Sequence, residues 1–316
     1  PPRDLQPHGE GLSQPDTDTS GRCNRSVGWP NNAGTLTMDL TFRQVDVFSA
    51  EPFRGNPLAV IVGADELSDA QMAQVANWTN LSETTFLLKP THPDADYRVR
   101  IFTPQSELPF AGHPTLGTAF VWQSLGGTPK SDGIIQECGA GLIPVRCQAD
   151  LLFFAAPPRR LTGPVGQNDL ARALTGLRLA SEDVLDAQWA GNGPGWMVLR
   201  LRSRRDVLAV QPDWQALKGQ SLGVVGAWDS VRDGTGAQFE VRAFVGGGQG
   251  GEDPVTGSLN AGIAQWLIES GIAPAKYVAS QGAVLGRAGR IFVEKDSGDI
   301  WIGGNVVARI AGTITL

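Results

Sequence analysis

The hydrophobic pattern after residue 37 predicts many short strands. Short apolar runs rich in Val, Ile, Phe and Thr are separated by Gly, Pro and Asp, which is typical of a strand-rich fold with tight turns. The predicted strands are 41–48, 58–62, 83–88, 98–102, 134–138, 141–145, 151–154, 196–201, 223–227, 239–244, 283–285, 290–294, 299–302 and 306–316.

A smaller set of segments is predicted to be helical. Segment 68–78 begins with Ser68, a favoured N-cap residue, and places apolar residues at helical spacing. Segment 167–174 is a second predicted helix. Segments 113–124 and 259–270 are apolar at nearly every position, so they are predicted to be helices buried on all sides.

The two apolar helices belong to an internal repeat. Gly257-Ser258 follows Gly112-His113 by 145 residues, and the same offset aligns Gly117 with Gly262. In both places a strand leads into a loop containing Glu and Pro, and a glycine turn then opens the apolar helix. Gene duplication is the simplest account, and it predicts an α+β fold of two similar β-rich units, each around one apolar helix.

The two glycine turns are also candidates for anion binding. The N-terminus of a helix leaves backbone N–H groups unpaired and carries a partial positive charge. If the two helix starts face each other across a cleft between the units, they can hold a small carboxylate substrate from both sides.

Composition limits the remaining possibilities. A length of 316 residues favours two domains over one. A net charge of −6 argues against nucleic acid as a partner, and no apolar run is long enough to span a bilayer. The three cysteines have spacings unlike a disulfide or zinc framework, and three histidines are too few for a multi-histidine metal site. The expected location is a reducing cytoplasm.

The first 37 residues differ from the rest of the chain. They are rich in Pro, Gly, Ser, Asp and Asn, with almost no apolar periodicity, so they cannot build a core. We expect residues 1–37 to be a disordered or non-native tail without the apolar segment of a signal peptide, and Met38 to be the natural start.

Four motifs occur in order along the chain: FRGNPLAV from Phe53, NLSETTF from Asn80, GHPTLG from Gly112 and EDPVTGS from Glu252. With them the sequence resembles the PhzF-like isomerase family of phenazine biosynthesis, which is related in fold to diaminopimelate epimerase. The resemblance extends from about Phe42 to the C-terminus.

The resemblance implies two similar domains, each a β-sheet wrapped around a central apolar helix, with the active site in the cleft between them. We expect an N-terminal domain of residues 38–147, joined by the closing strand 305–316, and a C-terminal domain of residues 148–304. The family needs no metal or organic cofactor, acts on a small carboxylate-bearing substrate and commonly forms homodimers.

The resemblance places the general acid/base on Glu83 and further catalytic roles on His113 and Asp253. A carboxylate at the start of a strand can exchange a proton with a carbon atom if burial or a neighbouring carboxylate raises its pKa. A neutral or charged histidine can stabilise the rearranging charge. From the residues alone, Glu83 could equally be a solvated strand-edge residue, His113 a core or capping residue, and Asp253 part of an Asp-Pro turn.

Substrate binding is expected from further residues in the same motifs. Gly112, Gly257 and Ser258 would offer N–H and hydroxyl donors to a substrate carboxylate, although the glycines could also serve only a tight turn. Asn56 and Ser82 are substrate-binding residues by the resemblance.

Two departures from related patterns are informative. The glycine run 246–251 lacks the Lys-Ser/Thr of a nucleotide-binding loop, and it lacks the Pro and Gly-Ile usual in the family, which predicts a more flexible loop over the cleft. Ala111 and Thr256 stand where the epimerase relatives place their two cysteines, so two-thiol racemisation is the wrong chemistry.

These observations favour a cofactor-independent isomerase that moves a proton between carbons on one face of its substrate. Two alternatives stay open. One is a non-catalytic metabolite-binding protein on the same fold. The other is a hydrolase built from Ser258, His113 and Asp253, although the G-x-S-x-G motif of such enzymes is missing.

Overall fold

The computed structural model describes residues 37–193, 195–247 and 251–316. The expectation for the N-terminal tail therefore lies outside the described residues, and so does the centre of the glycine run. Residues Met38–Leu316 form one compact unit.

The first half of this unit alternates strands with two helices. In chain order its elements are Asp39–Val47 (β1), Asn56–Val62 (β2), Asp69–Thr79 (α1), Glu83–Leu88 (β3), Tyr97–Phe102 (β4), Glu107–Leu108 (β5), Gly112–Ser124 (α2), Ile134–Cys138 (β6), Gly141–Gln148 (β7) and Leu151–Ala155 (β8).

The second half continues in the same style. Its elements are Leu161–Pro164 (β9), Gln167–Leu177 (α3), Val184–Gly191 (β10), Met197–Leu201 (β11), Arg204–Ala209 (α4), Ser221–Ala227 (β12), Phe239–Val245 (β13), Gly251–Asp253 (β14), Gly257–Glu269 (α5), Lys276–Gln281 (β15), Gly289–Asp296 (β16), Asp299–Gly304 (β17) and Val306–Thr315 (β18).

Strand pairing repeats between the halves. In the first half β1–β2 is antiparallel, β2–β3 parallel, β3–β4 antiparallel and β4–β6 parallel. The second half has the same sequence of directions in β10–β11, β11–β12, β12–β13 and β13–β15. The predicted α+β fold of two similar units is confirmed.

Each unit wraps around one of the apolar helices. Leu116 and Ala119 of α2, and Leu259 and Ile263 of α5, are buried in a shared hydrophobic core. Neither helix carries a charged side chain before its last residue, so each can be surrounded by strands without burying a charge. α2 and α5 have 13 residues each, and no helix in the described part of the chain is long and apolar enough to cross a bilayer.

The two units are linked through their sheets. β8 pairs with β7 on one side and with β17 on the other, which joins the first half to the second. The closing strand β18 returns to the first half and pairs with β1 along its length. The domain limits 38–147 with 305–316, and 148–304, stay a prediction that these pairings do not decide.

Some predicted elements need correction. Segment 283–285, predicted as a strand, is a single turn of 3-10 helix, because the glycines on both sides, Gly282 and Gly286, have φ of 92° and 70° and reverse the chain. The strand of this region is β15, just before it. β9, β10 and α4 were not predicted, since their apolar residues are few or interrupted by charges.

Candidate active site

The starts of α2 and α5 meet in the interior of the molecule. A methyl group added to Gly112 would lie 2.8 Å from the Cα atom of Gly257, and one added to Gly257 would lie 2.8 Å from the Cα atom of Gly112. Such a separation is too short for any side chain. Both positions therefore require glycine, and the two N-terminal turns bring their next residues, His113 and Ser258, to the same region.

Glu83, the first residue of β3, lies beside His113. Its Oε2 atom is 3.3 Å from Nε2 of His113, and the two side chains are 15% and 4% exposed. The angles at this contact are unsuitable for a hydrogen bond. Within the described residues, neither atom has a hydrogen-bond partner. Buried polar atoms normally have partners, so this pair of atoms is available to a ligand.

Asp253, the last residue of β14, accepts hydrogen bonds on both carboxylate oxygens. Asn56 Nδ2 donates to Oδ1 at 3.1 Å and Ser82 Oγ donates to Oδ1 at 3.3 Å. Thr256 Oγ1 lies 2.5 Å from Oδ2. The structure thus brings Asn56 and Ser82, expected to bind substrate, onto Asp253.

The orientation of Asn56 determines the tautomer of His113. Asn56 Nδ2 also donates to the carbonyl of Val255 at 2.9 Å and lies 3.4 Å from His113 Nδ1. If the amide were flipped, its oxygen would lie beside the carboxylate of Asp253 and the carbonyl of Val255, which are both acceptors. The NH2 group must therefore point toward them. An amide nitrogen does not accept hydrogen bonds, so a proton on His113 Nδ1 would have no acceptor at Asn56, and we assign the proton of the neutral ring to Nε2, toward Glu83.

The electrostatics of the cluster follow from its burial. Burial, and secondarily the negative charge of Asp253, raise the pKa of Glu83 well above its usual range. Burial lowers the pKa of His113 to about 3, so the ring is neutral at pH 7. Burial raises the pKa of Asp253 to about 6, against the hydrogen bonds of Thr256, Asn56 and Ser82, which lower it. Donors meet both oxygens of Asp253 and favour its ionised form, whereas burial and the negative charge of Asp253 favour the protonated form of Glu83.

Gln281 supports this arrangement from the end of β15. Its Nε2 atom donates to Thr256 Oγ1 at 2.9 Å and to the carbonyl of Asp253 at 3.1 Å. Its Oε1 atom accepts from Thr256 N at 3.0 Å and from Asn260 Nδ2 at 2.8 Å. Because Gln281 donates to Thr256, the hydroxyl proton of Thr256 is directed to Asp253. The sequence identified Thr256 only as a position where the epimerase relatives have a cysteine, and it predicted none of the contacts of Gln281.

A buried ion pair anchors the strand that carries Asp253. Arg242 Nε and Nη2 donate to the two carboxylate oxygens of Glu252 at 2.8 Å each, and these side chains are 2% and 6% exposed. Arg242 Nη1 also donates to the carbonyl of Val210 at 2.7 Å. Since Glu252 immediately precedes Asp253, the pair fixes the position of β14. Nothing in the local sequence around Arg242 indicated this role.

Ser258 has a different partner from the one a serine hydrolase requires. Its Oγ atom accepts a hydrogen bond from the indole Nε1 of Trp196 at 3.0 Å. The near neighbours of the His113 ring nitrogens are Glu83 and Asn56. A nucleophilic serine would need its hydroxyl hydrogen-bonded to the histidine base.

Glu83, His113, Asp253, Asn56 and Ser82 therefore form one cluster, beside the paired helix starts. Their roles in a reaction stay predictions. No group of three or more His, Cys, Asp or Glu side chains suited to a metal ion occurs in residues 37–193, 195–247 or 251–316.

A large groove elsewhere on the molecule contains none of these residues. It measures about 900 Å³ and lies between α1 and the ends of β1 and β18. It is lined by Phe42, Gln71, Gln74, Val75, Asn77, Trp78, Thr313, Ile314, Thr315 and Leu316. With no titratable side chain in its lining, this groove is a poorer candidate for proton-transfer chemistry than the cluster at the helix starts.

Comparison with known proteins identifies the family. The family model described as "Phenazine biosynthesis-like protein" matches residues 45–312. The chain belongs to this family. The predicted resemblance is thus confirmed over most of the described residues.

Relatives within the phenazine biosynthesis-like family are similar over nearly their whole length. The chain is 37% identical over 293 residues to "Antisense-enhancing sequence 1" of Schizosaccharomyces pombe, covering 86% of this chain and 97% of the relative. It is 32% identical over 256 residues to trans-2,3-dihydro-3-hydroxyanthranilate isomerase of Pseudomonas aeruginosa, covering 80% of this chain and 89% of that enzyme.

Solved structures agree with this assignment. A PhzF-family protein of Enterococcus faecalis superposes with a TM-score of 0.71 at 26% identity, covering 88% of this chain and all of the other. A hydroxyproline epimerase of Agrobacterium vitis, at 14% identity and a TM-score of 0.53, shares the fold alone. With several relatives named as isomerases, the chain is an enzyme of the isomerase class.

Proposed function

We propose that this isomerase moves a proton between two carbons of a small, cyclic, carboxylate-bearing substrate, with Glu83 as its single acid/base. The observation that carries the proposal is the pair of buried, unpartnered atoms Glu83 Oε2 and His113 Nε2, 3.3 Å apart. An acid/base needs a raised pKa and access to the substrate. The pKa of Glu83 is raised, and 15% of its side chain is exposed although Oε2 itself is buried.

The proposed reaction has two proton transfers on one face of the substrate. In the first, the carboxylate form of Glu83 takes a proton from an acidic carbon, and the electron pair of the broken C–H bond shifts through the conjugated system. In the second, the carboxylic acid form of Glu83 returns that proton to another carbon of the same system. No atom is gained or lost, so no co-reactant is required.

His113 and Asp253 stabilise the charge that forms between these transfers. Neutral His113 carries its proton on Nε2 and donates a hydrogen bond to the electron-rich substrate, while the proton itself stays on the ring. Asp253, held by the donors of Asn56, Ser82 and Thr256, remains ready to accept a hydrogen bond from a polar group of the substrate.

The substrate carboxylate binds at the paired helix starts in this proposal. The backbone N–H groups at Gly112 and Gly257 and the hydroxyl of Ser258 are the donors. The positive ends of both helix dipoles favour an anion at this point. Because the glycines approach each other so closely, one carboxylate can contact both turns.

The first candidate substrate is trans-2,3-dihydro-3-hydroxyanthranilate, which the Pseudomonas aeruginosa and Pseudomonas fluorescens relatives are named for isomerising. It carries the required ring and carboxylate. We expect a homodimer located in the cytoplasm, and sedimentation equilibrium of the purified chain tests the dimer.

The decisive experiment is deuterium incorporation into this compound, and into related cyclic amino- and hydroxy-carboxylates, in D₂O. We compare the wild type with Glu83→Gln and with Glu66→Gln, the same substitution at an exposed glutamate. Isomerisation by the wild type and Glu66→Gln, but not by Glu83→Gln, is the expected result, with deuterium in the product of those turnovers in which the Glu83 carboxyl exchanges with solvent before it returns its proton. Full activity of Glu83→Gln would refute the mechanism.

The two alternatives give other outcomes. A metabolite-binding protein would bind a candidate with unchanged affinity in Glu83→Gln and would exchange no deuterium in any form. A serine hydrolase would be labelled at Ser258 by a fluorophosphonate, and we expect no labelling because Trp196 rather than His113 contacts that hydroxyl.

A further inference from the structure

The residues that open α2 and α5 have matching surroundings. His113 and Ser258 are each the second residue of their helix. An N–H group from the start of the equivalent strand approaches each of them, from Asn56 at β2 and from Trp196 just before β11. Donors therefore contact both residues on the side that faces the protein.

The contact of Trp196 with Ser258 determines the direction of the Ser258 hydroxyl. The indole N–H can only donate, so Ser258 Oγ must accept along this 3.0 Å contact. Both residues are buried, at 3% and 7% exposure. In the described ranges no carbonyl or carboxylate accepts the hydroxyl proton of Ser258 in return.

A second contact holds the backbone of the same residue. Asn192, in the turn between β10 and β11, donates from Nδ2 to the carbonyl of Ser258 at 3.1 Å. The β10–β11 turn thus binds Ser258 at its side chain and at its main chain. These contacts hold Oγ and the backbone of Ser258 in place, and the hydroxyl proton is left for a ligand at the helix starts.

We propose that Trp196 is a positioning residue of the anion-binding end of the site, which makes the Ser258 hydroxyl a donor to the substrate carboxylate. The inference rests on the proposed function, in which Ser258 binds that carboxylate. Trp196 itself does not touch the substrate. It acts by occupying one of the two lone pairs of Ser258 Oγ on the protein side, which favours rotamers of the hydroxyl that direct its proton toward the anion.

The first test needs no substrate. The indole N–H of Trp196 is identified in ¹H–¹⁵N spectra as the signal missing from Trp196→Phe. In Ser258→Ala this signal should shift and exchange faster with solvent, because its acceptor is gone. An unchanged signal in Ser258→Ala would overturn the inference. An inactive wild type, by contrast, would count against the proposed function alone.

The second test is a double-mutant cycle on the isomerisation of trans-2,3-dihydro-3-hydroxyanthranilate. Loss of one hydrogen bond to a charged group is expected to raise KM roughly tenfold in Ser258→Ala and several-fold in Trp196→Phe, with kcat nearly unchanged. The double variant should be no worse than Ser258→Ala. Independent, multiplying effects would show that Trp196 does not act through Ser258.

A variant that keeps the shape of Trp196 separates the loss of the N–H group from the loss of ring packing. Replacing Trp196 with 3-benzothienylalanine keeps the bicyclic ring and exchanges only the N–H for sulfur. It should raise KM as Trp196→Phe does. If it binds substrate as the wild type does while Trp196→Phe does not, ring packing rather than the N–H is responsible and the inference is wrong.

Discussion

Replacing His113 with glutamine should remove an acid-sensitive contribution of about 2 kcal/mol to stability between pH 7 and pH 5. The folded chain holds the pKa of His113 at about 3, because the ring is buried without a negatively charged hydrogen-bond partner. In the unfolded chain the pKa is about 6.5.

The sign follows from proton binding. Between these two values the unfolded state binds a proton at this residue and the folded state does not, so stability falls as the pH decreases. From pH 7 to pH 5 the ratio of the proton-binding polynomial of the unfolded state to that of the folded state rises by a factor of about 25. This lowers the free energy of unfolding by about 2 kcal/mol. Glutamine does not titrate, so the variant should lack this part of the acid sensitivity.

Urea unfolding at both pH values measures the effect by linear extrapolation. The quantity of interest is the decrease in the free energy of unfolding from pH 7 to pH 5 in the wild type, minus the same decrease in His113→Gln. His92→Gln is the control, because it makes the same substitution at a histidine whose side chain is 46% exposed. Equal losses in the wild type and His113→Gln would show that the ring is protonated in the folded protein, and the assignment of a neutral donor would fail.

Three further predictions concern the same site. First, kcat/KM should rise with pH through the raised pKa of Glu83, because only its carboxylate accepts a proton from carbon, and a flat pH–rate profile would contradict this. Second, Gly112→Ala should lower the free energy of unfolding by about 1–3 kcal/mol through overpacking against Gly257, whereas Gly312→Ala, with open space around it, should be nearly neutral in the same urea titration. Third, Arg242→Met should lower the free energy of unfolding by about 3–5 kcal/mol, because it leaves Glu252 buried and unpaired. An Arg242→Met/Glu252→Met double variant should recover most of this loss. Equal losses in the single and double variants would refute the pairing argument.

Much of the fold could be predicted because local pattern and tertiary environment agree. α2 and α5 are apolar all round, and the structure surrounds them with strands. Ser68 is the N-cap of α1, as predicted, and the structure adds a capping box with Gln71. The failures lie where an apolar triplet, such as 283–285, occupies a turn set by flanking glycines.

The candidate site was predictable where its residues lie within contiguous motifs. Glu83, His113 and Asp253 each belong to such a motif, and the structure brings them together. Trp196 and Arg242 lie outside those motifs. Their contacts with Ser258 and Glu252 arise only when strands distant in the chain pair, so no local pattern could reveal them.

The pairing of β1 with β18 has a consequence for synthesis on the ribosome. The outer neighbour of β1 is the last strand to be translated, although β2 to β8 follow β1 directly. At about 5–20 residues per second, the first unit waits on the order of ten to thirty seconds for its closing strand. During that interval the nascent chain exposes an unpaired edge at β1. Chaperones that bind such edges should therefore associate with translating chains and be released only after Val306–Thr315 emerges.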